Sequence, residues 1–210
     1  MAKKENQLID LKKHITKDAQ RRYIRNIEKE KLLSHVFDDF GHINGQHRFP
    51  VGSMYFGNST AGFAACEVIA IYNVLKDIGR PVRLADLIFY DEVLGYMFFR
   101  GIFGTKIRKI GTFLEKLEVP YIQLNVRDFL DIARNNGFKD GQIFILTIMT
   151  RGDLPISPVH TFETVYRDNK WVVFNRFNND ERGRIYNNVG EILHNGENIG
   201  KLISVYKVEI

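Results

Sequence analysis

The sequence predicts an α+β fold, and three observations carry that prediction. Segments with helical periodicity and helix stop signals fill the first part of the chain. Strand-like apolar runs and a hairpin signal gather in the second part. Helices first and strands second argue for helices packed on an antiparallel sheet. The chain has 210 residues, of which 44% are hydrophobic, close to the globular norm of about 45–50%. That excludes a disordered chain, and one core-forming domain with an appendage is expected.

From the N-terminus, residues 6–35 read as one helix. Leu8, Leu11, Ile15, Ile24, Ile27 and Leu32 recur at roughly helical spacing among Lys and Arg. Residues 1–35 hold ten Lys/Arg and five Asp/Glu, so the whole formal net charge of +5 sits there. A nucleic-acid binder spreads a basic face over its fold, so no nucleic-acid partner is expected. The helix either touches a membrane surface or an acidic partner, or packs on the domain through its apolar stripe. Residues 1–45 are read as this helical extension and 46–210 as the main domain.

The stretch Gly41–Pro50 reads as a polar linker. Its histidines, His42 and His47, are expected to be exposed, because no neighbouring acid or cysteine completes a metal set. No metal or cofactor is expected. A loop of small residues, Met54–Gly62, leads into FAACEVIAIYNVLKDIG. This segment is apolar on nearly all sides from Val68 to Leu75, the mark of a central buried helix, and Gly79 with Pro81 stops it. Leu84–Leu94 reads as a helix. Thr105 reads as an N-cap ahead of a stripe of Ile107, Ile110, Leu114 and Leu117. A strand over Tyr121–Asn125 and a helix over Val126–Asn135, closed by Asn136-Gly137, follow.

Gln142–Thr150 is a continuous apolar run, typical of a buried strand. His160–Tyr166 and Lys170–Phe177 read as strands joined by a two-residue turn at Asp168-Asn169. Val189–Leu193 reads as a short helix and Lys201–Val208 as a last strand. The longest dense apolar run, Ile143–Met149, is too short to span a bilayer. No secretory leader is visible after Met1, and Cys66 is the only cysteine. A reducing, cytoplasmic setting is therefore expected.

Chemistry points to Cys66. It opens the buried helix, where free amides and the helix dipole favour a thiolate; the inert alternative is a buried small hydrophobe. A nucleophilic cysteine needs a base, and His160, after a loop with Pro155 and Pro158, suits that better than His194 in its polar stretch. With a two-residue turn, Asn175 becomes the diagonal neighbour of His160 on the same strand face, placed to orient the imidazole, with Phe177 or Trp171 as a shield. A three-residue turn would put Asn178 there instead. An oxyanion hole would use the Cys66 amide with Asn58 or Thr60. Glu67 is expected to point outward or cap the helix.

A Cys on a helix, a His opening a strand and an Asn on the next strand follow the order of papain-like cysteine peptidases. ACEVIAIYNVLKDIG, FGTKIRKIGTFLEKL and HTFETVYRDNKWVVFN are similar to segments of the bacterial double-glycine, bacteriocin-processing branch, over residues 52–180. Thr60 stands where that branch carries its oxyanion glutamine. The resemblance implies a papain-like α+β fold and a thiol hydrolase. Cys66 would attack a peptide bond, His160 would shuttle the proton, Asn175 would orient His160, and Asn58 would help hold the oxyanion. An acyl-enzyme would be hydrolysed or passed to another acceptor, with a peptide or protein as substrate. Two other readings stay open: an inactive papain-like domain that binds a peptide or protein partner, and a membrane-surface or partner-binding protein driven by residues 6–35.

Overall fold

The structure is a computed structural model that describes residues 15–33, 41–135, 137–150, 159–195 and 198–210. Expectations for residues 6–14 and 34–35, for the stop at Asn136 and for the Pro155–Pro158 loop lie outside the described residues.

The centre of the molecule is a six-stranded antiparallel sheet, ordered β3-β10-β4-β5-β6-β7. Its strands are β3 (Tyr121–Leu124), β4 (Ile143–Met149), β5 (Val159–Arg167), β6 (Lys170–Phe174), β7 (Arg184–Tyr186) and β10 (Lys201–Val208). Two short ladders lie apart from it: β1 (Tyr55–Phe56) with β2 (Ser59–Thr60), and β8 (His194–Asn195) with β9 (Asn198–Ile199). Strand β4 lies between β10 and β5 and is buried over Ile143–Ile148, as its unbroken apolar run predicts. The β5–β6 turn is the predicted one. Asp168 and Asn169 take φ of 53° and 58°, the left-handed pair a two-residue hairpin turn needs, and Arg167 faces Lys170.

Helices cover both faces. On one lie α3 (Cys66–Asp77), α4 (Leu84–Val93) and α5 (Ile110–Lys116), sharing a core with Ile143, Ile145, Val165, Phe174, Tyr206 and Val208. On the other, α6 (Val126–Arg134) and α7 (Val189–Leu193) close a second core around Phe129, Trp171, Phe144 and Phe162. The architecture is thus mixed helix and sheet, three layers deep. Helix α3 is buried from Cys66 to Leu75. It ends at Gly79, whose φ of 71° lets Arg80 N–H reach back to the Leu75 carbonyl at 2.8 Å.

The N-terminal helix is shorter than its apolar pattern suggests. Helix α1 runs Lys17–Glu30 because Thr16 caps it, accepting from Ala19 N–H at 3.1 Å. It lies against α4 and is tied to the body by Arg22–Glu92, Lys29 to the Ser53 carbonyl, and Asn26 to Tyr55 main chain. Its cations are in part internal partners. The expected linker is also different. Residues 42–46 are buried, including His42, Asn44 and Gln46, because their polar groups bond inward to α3 and to Asn175. Thr105 is not an N-cap. It is buried with its hydroxyl on Asp91, and a short 3-10 turn over Ile107–Lys109 leads into α5. The two-residue hairpin β1–β2 and the edge strand β7 have too few residues for a period to register.

Candidate functional site

Cys66 is the first residue of α3 and is 6% exposed. Its sulfur lies 3.2 Å from Glu67 Oε2, so the thiol donates to that carboxylate. The main-chain N–H of Thr161 also points at the sulfur. Burial, followed by the field of Glu67, raises the thiol well above the usual range despite the helix N-terminus. The expected thiolate is therefore replaced by a protonated thiol. Glu67 does not point outward: it is 3% exposed and held between Cys66 and the Thr105 main chain. Burial lifts its carboxyl to about 7. Asp91, which accepts from the Thr105 hydroxyl, lies in the same buried patch and is likewise raised well above its ordinary value by burial.

His160 stands one residue from Thr161, so sulfur and imidazole reach the same end of β5. They share no hydrogen bond. His160 lies opposite Ile148 in the ladder, on the face of the second core, with its ring 5.9 Å from that of Phe162. Thr161 and Val165 alternate onto the α3 face. His160 Nε2 is 2.6 Å from the Asn175 carbonyl, which can only accept, so Nε2 carries the proton and Nδ1 the lone pair. Burial lowers the imidazole to about 4, so it is neutral at pH 7.

Asn175 does hold His160, but through its main chain. The hairpin register continues only to Glu163↔Phe174. Asn175 then turns to a φ of 55° and leaves the ladder, so neither it nor Phe177 faces His160 across a strand pair. Its side chain serves another partner: Oδ1 accepts from Gln46 N–H at 3.0 Å and Nδ2 donates to Gln46 Oε1 at 3.1 Å. Asn44 Oδ1 takes the Asn175 N–H at 2.9 Å. The observed turn removes the register that would have used Asn178, whose carbonyl instead accepts from His47 N–H. Trp171 is packed in the second core. His194 is exposed.

Asn58 lies at the exposed tip of the β1–β2 hairpin, separated from Cys66 by the short helix α2 (Ala61–Ala64). Its backbone N–H donates to the Arg100 carbonyl at 2.8 Å. Thr60 is also exposed. The hairpin tip and the 98–103 turn lock together through two glycines. A Cβ on Gly57 would strike the Arg100 carbonyl, and one on Gly101 the Phe56 carbonyl.

That turn forms a lip beside the Cys66 end of α3. Gly104 abuts the Ala64 carbonyl and the Glu67 carboxylate. Phe99 and Arg100 both hold left-handed backbone, with φ of 45° and 54°. The lip presents Phe99 at 64% and Phe103 at 57% exposure, and Phe63 on α2 is 70% exposed. The rings of Phe98, Phe99 and Phe103 pack on one another rather than into a core. Between Glu92 and Glu115 the chain carries Arg100, Lys106, Arg108 and Lys109 and no acid. Sequence reasoning missed this lip, although the run FFRGIF was in view: its exposure depends on the left-handed turn.

A second cluster was missed for a different reason. His42, Asp77 and Glu163 place ligand atoms within 4.8 Å of one another, though they stand far apart in the chain. Among the described residues no helix is long and apolar enough to cross a membrane. No protein-family model matches the chain, and no curated protein matches it either.

Proposed function

We propose that the chain is a papain-like domain that binds a peptide or protein segment without cleaving it. The observation that carries this reading is the separate commitment of the two would-be catalytic groups. The Cys66 proton is directed at Glu67, and the His160 Nε2–H at the Asn175 carbonyl. A general base must lie within hydrogen-bond reach of the proton it takes. A raised thiol beside a neutral imidazole also gives no thiolate–imidazolium pair. Support for the papain-like part is the arrangement itself: a cysteine-headed buried helix against an antiparallel sheet, whose β5 carries His160 and whose β6 leads into Asn175. Support for binding is the exposed aromatic lip with the exposed Arg100 on it, which suits a segment bearing apolar and acidic side chains. The unpaired Cys66 accords with a reducing compartment such as the cytoplasm.

Alkylation of the intact chain by iodoacetamide at pH 7.5, compared with His160→Ala, tests the reading. The expected result is labelling of Cys66 far slower than that of a free thiol, unchanged in the variant, with no turnover of a fluorogenic peptide library. Rapid labelling that collapses in His160→Ala, or measurable peptide cleavage lost in both Cys66→Ser and His160→Ala, would establish the hydrolase instead.

A further inference from the structure

The far end of α3 from Cys66 carries a second constellation. Asp77 is the last residue of that helix, His42 belongs to the buried loop before β1, and Glu163 sits in the middle of β5. We propose that His42, Asp77 and Glu163 form a binding site for a divalent cation of the Zn2+ class. Four observations argue for it. The three ligand atoms lie within 4.8 Å of one another, and His42 Nε2 is 2.9 Å from Asp77 Oδ1. A cation bound at about 2.0–2.2 Å spaces its donors roughly 3–4 Å apart, so side-chain rotation alone brings the set to coordination distance. The imidazole plane is fixed before any cation arrives, because the ring stacks on Phe174 with centroids 3.9 Å apart and planes 17° apart. Glu163 is fully buried, His42 is 4% exposed and Asp77 is half-buried, so two of the three donors are sheltered from water.

The donor chemistry selects the class. One imidazole and two carboxylates suit zinc and its first-row neighbours, whereas calcium takes six to eight oxygens. The buried Glu163 and the half-buried Asp77 carboxylates stand at close quarters, an arrangement that a shared proton or nearby positive charge stabilises, and a bound cation supplies that charge most directly. The cation would also have a mechanical role. It would pin residues 42–46 to α3 and β5, and those residues carry Asn44 and Gln46 to Asn175.

The test is isothermal titration of the chelator-treated full chain with ZnCl2, with CaCl2 as the control, together with thermal denaturation. One equivalent of Zn2+ and a raised melting temperature are expected, with no saturable Ca2+ binding. Glu163→Gln, which keeps shape and removes charge, is expected to weaken Zn2+ binding at least tenfold, since loss of even a group that only orients a ligand costs about 10–100-fold. Asp77→Asn is expected to do the same, and serves alone should Glu163→Gln fail to fold by circular dichroism. His47→Ala, His194→Ala and Cys66→Ser are expected to leave binding intact. The proposal is overturned by absence of saturable Zn2+ binding in the wild type. It is equally overturned by undiminished binding in the folded carboxylate variants, or by loss of binding in any of the three control variants; either marks an adventitious ion only.

Discussion

Residues 66 and 67 show how a neighbour decides what a functional group can do. The helix N-terminus favours a thiolate, by a few tenths to about 2 kcal/mol for a helix dipole. Burial with an adjacent carboxylate outweighs it, and the thiol stays protonated. Asn175 shows a comparable substitution of roles. Its left-handed backbone is tolerable because Asn adopts that region more readily than most residues, and its amide ties two buried groups of Gln46. Asn175→Ala leaves the Gln46 N–H and Oε1 buried without partners and removes the polar side chain that makes left-handed backbone tolerable here, so a loss of roughly 2–4 kcal/mol is expected in urea denaturation. Asn175→Gly keeps the turn and should lose less than Asn175→Ala. Equal losses would show that the backbone conformation contributes nothing. That Cys66 opens a buried helix and that His160 lies at the start of a strand was readable in the sequence, but not the directions of their hydrogen bonds. The period of a strand says nothing of where the strand stops, and here β6 stops one residue before the asparagine.

At the scale of elements, what could be read in advance was whatever local chemistry specifies. Asp168-Asn169 set the hairpin, Gly79 ended α3, and the run over Ile143–Met149 made a strand. Elements defined by distant partners were not readable. The loop over residues 42–46 looked like a linker because it is polar, yet its polar groups are satisfied by α3 and by Asn175 from remote parts of the chain. The lip over residues 98–103 is the converse, an apolar run that stays outside. Its side chains pack with each other and not with either core, so the double variant Phe99→Ser/Phe103→Ser is expected to change folding stability by no more than about 1 kcal/mol. The same variant should lower the fluorescence of a bound apolar dye such as ANS. A destabilisation of several kcal/mol in guanidinium titration would show that the lip is a structural prop.

For the whole molecule, the buried Glu67 and the half-buried His160 pull stability in opposite directions with pH. Glu67 is raised to about 7 in the folded chain, so the native state holds a proton that the unfolded state has released. Its contribution is present at low pH and is lost as pH rises from about 4.5 to about 7, by up to about 3 kcal/mol. His160 is lowered to about 4, so the unfolded state binds the extra proton between about 4 and 6.5, and stability rises with pH across that window. Denaturation midpoints measured from pH 4.5 to 6.5 should therefore tilt upward with pH in Glu67→Gln and downward in His160→Gln, relative to wild type. Parallel slopes in all three proteins would mean that neither group is held as described. Sheet order carries one more consequence, which concerns synthesis and not equilibrium. Strand β10, drawn from residues 201–208, lies between β3 and β4 and, among the described residues, is the sole ladder partner of β3. On a ribosome releasing about 5–20 residues per second, every other strand emerges before the one that joins the two parts of the sheet. Until then β3 has an open edge and both cores lack a wall, and a nascent chain in that condition is a natural client for a chaperone.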